Sequence, residues 1–95
     1  MIEESKQQKE YRMFVALWAY SYEIESIPME DDATYDAVAS LIQPEIPTDR
    51  PDLDEFFRSK FSKDTGMWIV DHPELARIVQ LWNSMRDAIR ANAIS

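Results

Sequence analysis

His72 is the chain's single imidazole, and nothing in the sequence gives it a chemical partner. There is no cysteine, so Cys–His pairs, thiolate nucleophiles and most zinc-site designs are excluded, and multi-histidine metal sites and His-based triads with them. The one glycine, Gly66, rules out a glycine-rich phosphate cradle. Asp52-Leu53-Asp54 supplies two ligands of a calcium loop and nothing else of it. Carboxylate pairs are abundant in so acidic a chain and carry no specific acid–base signal. The residues argue against an enzyme and for a non-catalytic role.

The stretch with the most chemical content runs from Tyr20 to Asp36. It holds three tyrosines and six acids with no base. It also opens the most acidic part of the chain: residues 23–55 carry eleven acids against Arg50 alone, a net of −10, while the remainder sums to +2. A field of one sign over a third of the chain repels nucleic acid and suits a basic partner or a cation. Glu30, Asp31, Asp32, Asp36, Asp49, Asp52, Asp54 and Glu55 are the expected acidic docking face. A cap and a solvated surface also account for the carboxylates at 30–36, without a metal.

These residues need a scaffold. At 95 residues with 45% hydrophobic content, the chain suffices for one domain with a real core. No apolar run approaches the ~20 residues of a membrane span, and the first residues do not read as a signal peptide, so a cytoplasmic location is expected.

Helical periodicity runs from Ile2 to about Glu25, with Tyr11, Phe14, Val15, Trp18 and Tyr22 as the apolar stripe and Pro28 as the stop. The charges at Glu3, Glu4, Lys6, Lys9, Glu10 and Arg12 dominate its first turns, where a loose start is expected. A short helix from Asp31 or Asp32 buries Tyr35, Val38, Ala39 and Ile42, and Pro44 and Pro47 make Gln43–Arg50 a stiff link. Pro51 opens a third helix capped by Thr48 or Asp49, with Leu53, Phe56, Phe57 and Phe61 inward. Gly66 marks a turn. Met67–Val70 is predicted as a short extended segment over the core, or alternatively an exposed hook for a partner. Asp71-His72-Pro73-Glu74 reads as a capping box before a last helix to about Asn92, whose seam is Leu75, Ile78, Trp82, Met85 and Ile89. The prediction is an all-α single domain of about four helices, two long and two short, joined at prolines. Trp18 and Trp82 are both expected in its core.

Tyr20-x-Tyr22, Pro28 and Asp32-Ala33-x-Tyr35-Asp36 together resemble the helical N-terminal subdomain of bacterial NAD-dependent DNA ligases, which recognises the nicotinamide mononucleotide half of the cofactor. The resemblance covers residues 20–36 and implies that Tyr22 and Tyr35 flank a nicotinamide ring while Asp32 and Asp36 hold its ribose or amide. Carboxylates beside aromatic faces suit a cationic pyridinium. The family's histidine after the second tyrosine is Glu23 here, and nothing corresponds to the adenylation domain, so ligation is not implied. In size and composition the chain also resembles small acidic bacteriophage proteins.

Three functions follow as expectations. The first is a non-enzymatic interaction protein that sets its acidic segment on a basic surface, as a DNA mimic or inhibitor of a nucleic-acid enzyme. The second is a nicotinamide mononucleotide-binding module. The third is a component that self-associates through Met67–Val70 or the last helix.

Overall fold

A computed structural model describes residues 2–27 and 32–94. Pro28, Glu30 and Asp31 lie outside the described residues, as do the side chains of Asp32 and Ile89. The architecture is all-α: α1 (Ile2–Glu23), α2 (Asp32–Ser40), α3 (Pro51–Ser59), a short 3-10 helix (Met67–Asp71) and α4 (Leu75–Ile94). No described helix is long and apolar enough to cross a membrane.

α1 is the central element, in contact with α2, α4 and the 3-10 helix. Its second half is enclosed almost all round, with Val15, Ala16, Leu17, Ala19, Tyr20 and Ser21 buried. This corrects the expected stripe. Phe14 and Tyr22 are exposed, and Tyr11 and Trp18 are only half-buried. In the first half, Gln8 and Arg12 are buried, and with Val15, Ala16 and Ala19 they define an inward face turned from the predicted stripe by one residue's rotation, ~100°. Small Ala16 and Ala19 let neighbours approach, which the larger aromatics do not. Tyr20 meets Trp82 of α4 edge-on at 5.7 Å, joining the two long helices.

α2 follows the prediction: Ala39, and Ile42 just past its end, are buried, and Tyr35 and Val38 pack against the core. Polar groups on α1 then fasten the proline-rich link. The Gln8 amide donates to the Leu41 carbonyl at 3.0 Å and accepts from the Gln43 N–H at 2.8 Å. One turn on, Arg12 donates to the carbonyls of Gln43 and Ile46 and to the Asp54 carboxylate. Prolines stiffen this link without supplying donors of their own, so α1 provides the donors that hold its carbonyls in place.

Pro51 opens α3 as expected, but Arg50 is the capping residue and its side chain makes no cap bond. Thr48 works one step earlier. Its hydroxyl accepts from the Arg50 N–H and donates to Asp54 Oδ1, while its own N–H donates to Asp54 Oδ2. The backbone of α3 packs closely against no other described helix. Large rings bridge the gap: Phe56, Phe57 and Phe61 gather around Trp68, with Phe61 nearest at 5.1 Å between centroids.

Met67–Val70 is not extended. It forms the 3-10 helix, which buries the adjacent pair Trp68 and Ile69 and leaves Met67 and Val70 out. Gly66, just before it, lies where an added methyl would come within 3.1 Å of Glu23 Cγ and 3.2 Å of Ala19 Cβ. The glycine thus serves a close approach to α1 rather than a left-handed turn. The predicted capping box is also replaced. Glu74 donates its N–H to His72 Nδ1 at 3.0 Å, and the Glu74 carboxylate turns to Arg50. Ile78 and Trp82 of the α4 seam are buried, and Leu75 and Met85 pack beside them.

Candidate functional site

The α1–α2 turn is tightly built at its start. Ile24 and Glu25 return their N–H groups to the Tyr20 carbonyl, and the Ile27 N–H returns to Ser21 at 2.9 Å. Ser21 Oγ donates to the Ile27 carbonyl, and Ser26 takes a left-handed φ of 58° to close the path. Tyr20 donates to the Glu25 carboxylate at 2.6 Å, and this bond, with burial, raises its phenol to about 12. Pinning the backbone inward leaves Tyr22, Ile24 and Ile27 among the most exposed large apolar side chains, at 58%, 45% and 50%.

Of the residues expected to hold a nucleotide, Tyr22 is exposed at the end of α1 and Asp36 is exposed on α2. Tyr35 is half-buried. Its hydroxyl is enclosed facing the Trp68 indole N–H, and neither group completes a hydrogen bond. Burial raises the Tyr35 phenol to about 12; the Trp68 N–H opposes that rise, and the Glu23 and Asp36 charges add to it. Glu23 and Asp36 therefore both sit within electrostatic reach of the Tyr35 hydroxyl.

The acidic segment divides in two. Asp49 pairs with Lys9 at 2.8 Å, Asp52 with Arg50 at 3.1 Å and Glu55 with Arg58 at 2.9 Å. These bases hold the Asp49 and Asp52 carboxyls below the usual carboxylate range. Asp54 leaves the expected docking face altogether: it is buried against Arg12 at 2.7 Å. Burial pushes its carboxyl up, but the bonds from Thr48 and Arg12 outweigh that and leave it lowered. Glu23, Glu25, Asp36 and Glu45 have no base within 4 Å among the described residues. Of these four, Glu23, Glu25 and Asp36 flank the α1–α2 turn, and Glu45 lies in the link after α2.

A second feature was not anticipated. Where α3 stands off from its neighbours, a cleft of about 480 Å³ opens between α1, α3 and the start of α4. Comparison with protein-family models, curated proteins and solved structures found no match. Geometry alone therefore carries the reading of both features. Arg12, Phe57 and His72 form the inner wall of the cleft, and Met13, Leu53 and Leu81 add apolar surface. The Arg12 guanidinium lies over the Phe57 ring, 5.5 Å from its centroid, and His72 stands nearly perpendicular to the same ring at 6.4 Å. His72 is buried, which lowers its pKa below the ordinary 6.5 against the opposing charges of Glu74 and Asp52.

The sequence carried one overlooked signal for this cleft. Arg12 falls on the same face as Gln8, Val15 and Ala19, and a charge amid a buried face requires a partner.

Proposed function

We propose that this chain is a non-enzymatic interaction domain of the cytoplasm, similar to small acidic phage proteins. It docks its α1–α2 turn on a basic surface of a partner protein. The observation that carries the reading is the company kept at that turn. Exposed Tyr22, Ile24 and Ile27 lie among Glu23, Glu25 and Asp36, which have no base within 4 Å among the described residues. Apolar anchors surrounded by charge are the usual composition of a binding patch. Carboxylates on a rigid scaffold can take the place of phosphates against lysine and arginine, so a nucleic-acid-binding surface is the favoured target. The acids of residues 49–55 contribute less, because each already meets a base.

The test is capture of a partner from lysate by the tagged chain at increasing salt. Glu23→Gln/Glu25→Gln/Asp36→Asn should lose capture while melting like the parent, Asp49→Asn/Glu55→Gln should retain it, and added duplex DNA should displace the partner. Salt-insensitive capture, or equal loss in both variants, would reject the reading.

A further inference from the structure

The cleft between α1, α3 and α4 presents a hydrogen-bond donor and a cation that no described residue takes up. Arg12 backs the cleft but offers it no donor: its Nη groups serve Asp54, Gln43 and Ile46, and its Nε–H is enclosed within the wall. His72 supplies the donor. Its Nδ1 accepts the Glu74 N–H, so the neutral ring carries its proton on Nε2, which has no partner among the described residues. Lys6, on the outer wall, has no carboxylate within 4 Å among the described residues. The other cations along the rim differ: Lys9 is held by Asp49, and Arg50 and Arg77 both meet Glu74.

We propose that this cleft binds a small amphipathic carboxylate, with its anionic head on His72 and Lys6 and its apolar body over Met13, Leu53 and Leu81. The site has the size of a small-ligand pocket, and its mix of apolar wall and a few convergent polar groups is the usual one. A carboxylate suits the donors because it accepts from several N–H groups at once and brings no proton of its own. Phe56 and Phe57 hold His72 in place, with centroids 5.2 and 6.4 Å from its ring, and Arg12 lies over Phe57 behind it. An uncharged ligand would leave Lys6 without a counter-ion, and a bare anion would leave the apolar wall wet. Glu10 also lines the cleft, one helical turn from Lys6, and works against the head group. The site is separate from the α1–α2 turn, so neither proposal depends on the other.

The experiment is an amide NMR titration of the full chain with octanoate, using 1-octanol and acetate as matched controls. Octanoate should give saturable shifts centred on Phe57, His72 and Leu81, at least about tenfold tighter than either control. Lys6→Glu should weaken that affinity several-fold, Met13→Asp should weaken it about tenfold, and Glu10→Gln should tighten it. All three replace exposed side chains, so an unchanged melt separates lost binding from lost fold. Octanol binding as tightly as octanoate would overturn the proposal. So would octanoate shifts confined to Tyr22–Ile27, or no saturable shift at millimolar octanoate.

Discussion

Arg12 and Asp54 stand forty-two positions apart and meet at 2.7 Å, each side chain only 5% exposed. The pair joins α1 to the first turn of α3, where the helix backbones themselves do not come close. Each partner is further satisfied, Arg12 by two carbonyls of the link and Asp54 by the Thr48 amide and hydroxyl. A buried pair of this kind contributes little net stability over an apolar one, but losing one member leaves a bare charge inside.

Arg12→Ala and Asp54→Ala should therefore each destabilise the fold by about 3–5 kcal/mol in urea denaturation. Arg12→Ala/Asp54→Ala should cost less than the sum of the two single changes, because no uncompensated charge remains. Additive losses would mean that the two side chains act independently.

Acid should destabilise the fold in two stages. His72 has a folded pKa below its ordinary 6.5, so the unfolded chain binds the extra proton first. Stability is then full above pH 6.5 and falls as pH drops through the folded value. Asp54, lowered from 3.8, keeps its contribution above that value and loses it at lower pH still. Denaturation midpoints against pH would show both steps. His72→Asn, which retains an acceptor for the Glu74 N–H, should remove the first step and leave the second.

The two tryptophans that the sequence treats alike should separate on truncation. Trp82 is 3% exposed, meets Tyr20 edge-on and carries the Arg86 guanidinium at 5.0 Å. Trp82→Ala should cost about 3–5 kcal/mol. Trp18 is half-buried and stacks on exposed Phe14 at 5.6 Å, so Trp18→Ala should cost only about 1–2 kcal/mol. Equal losses in urea denaturation would place Trp18 in the core after all.

Ser26 holds a left-handed φ of 58° on an exposed turn, a region that disfavours a side chain. Ser26→Gly should stabilise the fold by about 0.5–1 kcal/mol, while Ser26→Val should destabilise it. A calorimetric melt of both variants would register opposite shifts.

The helices were legible in the sequence because their causes are local. Proline at 51 sets the start of α3, and the three- and four-residue spacing of Leu75, Ile78, Trp82 and Met85 marks α4 without reference to anything distant. Met67–Val70 was harder, since four apolar residues fit an extended segment or a single turn equally well. Only the neighbouring surfaces, which admit Trp68 and Ile69 but not Met67 or Val70, choose the turn. The rotation of α1 was likewise undecided. Tyr11, Phe14, Trp18 and Tyr22 make a convincing stripe by hydrophobicity, yet Gln8 and Arg12 take the interior because the link after α2 exposes carbonyls that require donors. Local spacing can say that α1 is amphipathic. Which side faces in depends on where the chain returns some thirty residues later, and that pairing of Arg12 with Gln43, Ile46 and Asp54 exists only in three dimensions.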